Sequence, residues 1–166
     1  MLWGRTADGI TGVHEWIFSE IPPGAGVAVV FMDMDGFKQV NDSLGHQAGD
    51  DLLTAIACRL SAAARPSDMV ARFGGDEFVV LAGEVDSTTD ATHLAWRLTN
   101  CLRTPFSIAG KAVGVTASVG VLYSSDPEDT ADNILQKADA AMYLAKQRGC
   151  NRVAVSGQTE DENAAA

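Results

Sequence analysis

Residues 27–32, from Val27 to Met32, are apolar at every position and then give way abruptly to Asp33-Met34-Asp35-Gly36. An unbroken apolar run of that length predicts a central strand covered on both faces, with its carboxyl end emerging at a site. Residues 37–44 predict a short helix broken at Gly45, and 49–64 carry Leu52, Leu53, Ile56 and Leu60 at helical spacing before Pro66 closes the segment. The apolar runs 69–73 and 78–81 flank Gly74-Gly75, which predicts a tight hairpin. Residues 90–102 predict another amphipathic helix. A second hairpin is expected from 106–108 and 113–123 around Ala109-Gly110, with Val113, Val115, Ala117, Val119 and Val121 on one face. Thr130 stands where it would cap a further helix, striped by Ile134, Leu135, Ala138, Ala141, Met142 and Ala145 and stopped by Gly149. Residues 152–155 predict a last short strand. Strands mixed with helices, some of them antiparallel, imply an α/β sandwich built on one central sheet.

At 166 residues the chain suits a single domain over 1–155, with a leading segment at 1–7. Residues 156–166 are polar, acidic and alanine-ended, and read as a flexible tail or a truncated linker. The formal charge of −10 opposes unaided binding to nucleic acid or to an anionic membrane. A nucleotide remains admissible if a divalent cation shields its phosphates. Cys58, Cys101 and Cys150 are widely spaced without a metal-ligand pattern, as expected of reduced thiols. The uncharged stretch 112–125 is too short to span a bilayer and alternates like a strand, and no basic-then-apolar leader opens the chain, so a cytoplasmic location is expected.

The chemistry concentrates at two places. Gly74-Gly75 is followed at once by Asp76 and Glu77, where a charge would normally weaken a strand. Such a pair either holds a metal, a proton or a partner, or is a solvated hairpin tip. Asp33 and Asp35 share a face if the first strand continues, and oxygen ligands of this type suit Mg²⁺. If the hairpin lies beside that strand, Asp76 meets Asp33 across the sheet end and Glu77 is left to handle a proton. Asp35 is equally readable as a cap of the turn or of the following helix. Asn41 offers a donor and an acceptor and Asp50 accepts two donors, which complements a guanine edge. The bland readings are a turn for Asn41 and a helix N-cap for Asp50. His46 reads as a loop residue making local hydrogen bonds. Lys146 closes its helix, where any cation is favoured, and becomes a triphosphate contact only beside a phosphate-bearing site.

Five blocks in order, Phe31 to Lys38, Asn41 to Asp50, Gly74-Gly75-Asp76-Glu77-Phe78, Ala117 to Gly120 and Asp139 to Lys146, resemble the GGDEF domain of bacterial diguanylate cyclases over roughly residues 8–155. The resemblance implies a mostly antiparallel five-stranded sheet flanked by helices, like a polymerase palm or nucleotidyl cyclase. It implies condensation of two GTP into cyclic di-GMP with loss of two pyrophosphates, across a transient homodimer of facing domains. By position, Asp33, the Met34 carbonyl and Asp76 would bind Mg²⁺, with Mn²⁺ an alternative. Gly36, Phe37 and Lys146 would hold phosphates. Asn41 and Asp50 would read guanine beside His46, and Asp76 with Glu77 would carry the catalytic acidic role. Arg65 and Asp68 resemble the family's product-inhibition site, with Arg97 a secondary contact; otherwise Arg65 and Asp68 are surface residues after a helix.

The chain departs from the family at two points. Glu15 and Trp16 stand where Asn and Arg are usual, which bears on how a leading helix docks. Cys150 stands where an arginine commonly follows the glycine, so a phosphate contact is missing unless Arg148 or Arg152 replaces it. These departures motivate an alternative: a weak or inactive domain that binds GTP or cyclic di-GMP and regulates an attached one. Sensory or phosphodiesterase domains are expected elsewhere in a longer protein.

Overall fold

The computed structural model describes Pro22 and residues 24–158. The expected leading segment and most of the expected tail lie outside the described residues. Within them the order is β1 (Val27–Asp35), α1 (Phe37–Leu44), α2 (His46–Ala63), β2 (Met69–Gly74), β3 (Glu77–Gly83), α3 (Thr88–Cys101), β4 (Phe106–Ile108), β5 (Lys111–Val113), β6 (Thr116–Ser124), α4 (Ala131–Gln147) and β7 (Arg152–Val155).

Five strands form the main sheet in the order β2-β3-β1-β6-β7. The β2–β3, β3–β1 and β1–β6 pairs are antiparallel and β6–β7 is parallel. β1 sits in the middle, and its two faces explain its unbroken apolar run. Ala28, Val30, Met32 and Met34 pack with Leu52, Ile56 and Leu60 of α2 and with Leu94 and Leu98 of α3. Val27, Val29 and Phe31 pack on the opposite face with Ile134, Leu135, Ala138 and Met142 of α4. Helices on both sides leave no solvated face, so alternation disappears from the sequence.

Gly120 in β6 determines how close α4 comes. A Cβ there would stand 2.0 Å from the Ala138 carbonyl oxygen and 2.3 Å from the Met142 nitrogen. The missing side chain lets α4 lie against the strand, which sets where its last turn ends. Thr130 caps α4 as expected, its hydroxyl accepting from the Asn133 amide at 3.2 Å.

Two expectations needed correction. The hairpin from 106 to 123 is two units: β4 and β5 pair only with each other, and the chain leaves them at Gly114 and Val115 to enter the main sheet as β6. Valine alternation runs through the break because Val113 and Val115 both pack on the core shared with Ala117, Val119 and Val121. Helix α2 begins at His46 with Gly45 as its N-cap, so His46 is helical and Asp50 lies a turn inside.

Candidate active site at the carboxyl end of the central strand

Odd-numbered residues of β1 face α4, and Asp33 is the first of them past the apolar run. Its partner across the β1–β3 ladder is Glu77, and across the β1–β6 ladder Ser118. Glu77 shares a face with Val79 and Leu81, the α4 side, so both carboxylates sit on one surface. Asp76 occupies the β2–β3 turn, where its carbonyl accepts the Met34 amide at 3.1 Å. The hairpin therefore lies beside the first strand, and the end of β1 meets the glycine turn. Gly75 takes φ +48°, and Arg72 Nε donates to its carbonyl at 2.8 Å, which pins the turn. Glu77 Oε2 leans over Gly74, 3.9 Å from where a Cβ would stand.

Lys146, in the last turn of α4, reaches this cluster. Its Nζ donates to Asp33 Oδ2 at 2.7 Å. Asp33 is 6% exposed. Burial pushes its carboxyl above the usual range, the Lys146 hydrogen bond draws it partly back, and the charges of Asp76 and Asp35 push it up again. Burial likewise raises Glu77, helped by the charges of Asp33, Asp139 and Asp76 and opposed by Lys146. For Lys146, burial alone would lower its value, but the hydrogen bond to Asp33 and the charges of Asp33, Asp76 and Glu77 outweigh it and hold the ammonium above its usual range. One ammonium does not neutralise this many carboxylates.

That imbalance bears on a metal. Among the described residues no group of three or more His, Cys, Asp or Glu side chains is arranged to hold an ion. The set suggested by the sequence needs only Asp33, Asp76 and the Met34 carbonyl. Mg²⁺ takes one or two carboxylates and fills its octahedron with water and phosphate, so these hard oxygen donors, in surplus negative charge, fit it.

The nucleotide-facing candidates fall on α1 and α2. Gly36, at φ +74°, is the N-cap of α1, and no side chain caps that helix. Its first amides, including that of Phe37, therefore point out of the helix start as anion donors do. Asn41 on α1 faces Gly49 on α2: a Cβ at Gly49 would stand 1.9 Å from Asn41 Oδ1 and 3.2 Å from the Phe37 ring. Asp50 is the next residue and is exposed, as is His46. Asn41 and Asp50 are candidates from the sequence; Gly49, the bare position that lets Asn41 sit there, is not, because its close approach is to a residue of another helix.

Asp35 is neither cap nor free ligand. Its carboxylate accepts from Thr116 Oγ1 at 2.7 Å, Ser118 Oγ at 2.6 Å and the Asn151 amide at 2.9 Å. Cys150 sits in the turn after α4, and Arg152 Nε donates back to its carbonyl at 3.3 Å, keeping a guanidinium beside the turn that lacks the expected arginine.

The second candidate site lies elsewhere, after α2. The Arg65 amide donates to Asp68 Oδ2 at 2.7 Å and the Asp68 amide to the Arg65 carbonyl at 2.9 Å. The Asp68 side chain is 1% exposed, with Arg97 Nη2 3.8 Å from Oδ2. Asp68 Oδ1 is buried without a hydrogen-bond partner, which a surface decoration would not be. Arg65, Asp68, Asp90, His93 and Arg97 line a cavity of about 280 Å³ there.

No helix among the described residues is long and apolar enough to cross a membrane. The family model described as "Diguanylate cyclase, GGDEF domain" matches residues 20–152. Three Pseudomonas aeruginosa proteins illustrate the relatives. NbdA, named a cyclic di-GMP phosphodiesterase, is 43% identical over 129 residues, covering 77% of this chain and 16% of its own. MucR, named a bifunctional diguanylate cyclase/cyclic di-GMP phosphodiesterase, is 46% identical over 125 residues, covering 75% of this chain and 18% of its own. The crystal structure of the GGDEF domain of TpbB superposes with a TM-score of 0.81 at 33% identity, covering 90% of this chain and 94% of that one. The chain thus spans less than a third of the full-length relatives, 16% of NbdA and 18% of MucR, yet nearly all of the excised TpbB domain. With paired carboxylates at the end of β1, an intact glycine hairpin and a match over most of its length, this chain belongs to the diguanylate cyclase GGDEF domain family.

Proposed function

We propose that this domain is a diguanylate cyclase that condenses two GTP into cyclic di-GMP and two pyrophosphates, with Mg²⁺, between two copies facing each other. The observation that carries this reading is the convergence of Asp33, Glu77 and the Asp76 turn around Lys146. Asp33, Asp76 and the Met34 carbonyl would hold the cation, which supplies charge neutralisation at the triphosphate when bound. Gly36, Phe37 and Lys146 would receive phosphate oxygens, while Asn41 and Asp50 would take the guanine edge, with His46 nearby.

Each copy presents one nucleotide. The 3′-oxygen of one forms a bond to the α-phosphorus of the other, the bond to the bridging oxygen breaks, and pyrophosphate leaves. The proton released from the hydroxyl goes to Glu77, whose raised carboxyl accepts one more readily than an ordinary glutamate. Two such transfers close the ring. Positioning supplies most of the rate in chemistry of this kind. The cavity at Arg65 and Asp68 would take the product as an inhibitor, Asp68 Oδ1 accepting guanine donors and Arg65 with Arg97 meeting phosphate.

Incubation of the protein at high concentration with GTP and Mg²⁺, followed by chromatography, tests the reading. Cyclic di-GMP is expected. GTP binding without product, even in a forced dimer, would instead favour a regulatory nucleotide-binding module. Cys150 at the phosphate-side turn is the observation behind that second reading.

A further inference from the structure

Asp35 lies on the same face of β1 as Asp33, and its carboxylate takes three donors: the Thr116 and Ser118 hydroxyls of β6 and the Asn151 amide. Ser118 is fully buried and Asp35 half-buried, so that bond anchors the carboxylate on its inner side. Asn151 ends a run of three residues with positive φ, Gly149 at +108°, Cys150 at +58° and Asn151 at +46°. Cysteine and asparagine are held there in a region that L-residues avoid. The turn opens directly after α4, whose Lys146 reaches Asp33 Oδ2 at 2.7 Å. The tie from Asp35 to Asn151 spans 116 positions of chain and fastens the turn to β1 one residue before β7 joins β6 at Arg152.

We propose that Asp35 is a positioning residue for GTP binding: it latches the left-handed 149–151 turn to β1 and β6 and so holds the end of α4 with Lys146 against Asp33. This rests on the reading of Lys146 and Asp33 as the triphosphate end of the site. Asp35 acts through the turn, with its own oxygens already committed, and is not a ligand of the cation.

The test compares the wild-type chain with Asp35→Ala. Three readouts are used: amide hydrogen exchange at Asn151, GTP affinity by calorimetry and by KM, and the Mg²⁺ concentration for half-maximal binding. Loss of a hydrogen bond to a charged acceptor should cut Asn151 protection and weaken GTP binding by about tenfold each. kcat should stay within about threefold and the Mg²⁺ requirement should not move, because the binding lost is shared equally by ground and transition states. Adding Cys150→Gly and Asn151→Gly to Asp35→Ala should recover part of the affinity, since glycine adopts positive φ freely. A raised Mg²⁺ requirement without glycine rescue would overturn the proposal in favour of direct ligation. Unchanged Asn151 exchange and GTP affinity would overturn it as well. Should Asp35→Ala fail to fold, Asp35→Asn carries the same Asn151 exchange test, with lower protection expected and unchanged protection contradicting the latch. Absence of cyclic di-GMP from the wild type would defeat the cyclase reading alone, because exchange and GTP affinity still decide the role of Asp35.

Discussion

In Gly49→Ala the new methyl would stand 1.9 Å from Asn41 Oδ1 and 2.9 Å from its Cγ. Both are atoms of one side chain, so Asn41 can rotate away and the backbone need not move. Forcing that side chain off its rotamer costs about 0.5–1.5 kcal/mol. Replacing glycine by alanine within a helix returns about 1 kcal/mol. The two nearly cancel, and a net change within about 1 kcal/mol moves the melting temperature by no more than about 4 °C. Recognition has no such offset. Asn41 displaced from a guanine edge forfeits a hydrogen bond and leaves its partner unsatisfied, a loss of about 1–3 kcal/mol. GTP affinity by calorimetry should therefore fall about tenfold or more, and preference for GTP over ATP should shrink, while the melting curve barely moves. Unchanged affinity and preference would mean that Asn41 does not read the base. A melting temperature lowered by more than about 8 °C would mean instead that Gly49 is needed for the α1–α2 packing itself.

Gly120→Ala is expected to behave oppositely, because its Cβ meets backbone atoms of Ala138 and Met142 that cannot rotate away. Lifting α4 should destabilise the fold by about 3 kcal/mol and weaken GTP binding together, as read by thermal melts and calorimetry. Asp33 and Glu77 both have raised carboxyls, so their favourable contribution is complete below the usual carboxylate range and is lost as pH climbs through the raised values. The contribution of these two groups in metal-free protein should accordingly fall from about pH 4 upward, against the opposite trend of Asp129, whose carboxyl Lys137 and Ser124 hold low. Mg²⁺ should raise the melting temperature more at neutral pH than at acid pH. Lys146, also raised, contributes throughout that window and is lost only in alkali. A Mg²⁺ effect independent of pH would refute this. Arg65→Ala should relieve inhibition by cyclic di-GMP about tenfold or more without changing the rate in its absence; unchanged inhibition would separate the cavity from the product.

Local features were legible where a residue's neighbours in the chain decide its state. The apolar run of β1, the stripe of α4, the Thr130 cap and the glycine hairpin each announce themselves within a dozen positions. Placing that hairpin beside β1 was right, but the expected partner of Asp33 was Asp76; the β1–β3 register instead sets Glu77 opposite Asp33 and leaves Asp76 in the turn. What stayed hidden depends on residues far apart in sequence. Asp35 looked like a cap or a ligand because Thr116, Ser118 and Asn151 come to it only through the β6 ladder and the turn after α4. Gly49 and Gly120 looked like ordinary glycines because their meaning is a close approach from another element. Asp68 stands out in the sequence only through its resemblance to the family's product site; its burial, with one carboxylate oxygen unpartnered, comes from the fold. Valine alternation could not show the split between β5 and β6, since both sides of Gly114 face the same core.

Anomalous diffraction from crystals grown with Mn²⁺ and a non-hydrolysable GTP analogue tests the shared cation most directly. A manganese peak is expected within about 2.0–2.3 Å of carboxylate oxygens of both Asp33 and Asp76, with the triphosphate beside it and Lys146 on a phosphate oxygen. A nucleotide bound with no metal at those two side chains, or a metal held elsewhere, would contradict the account.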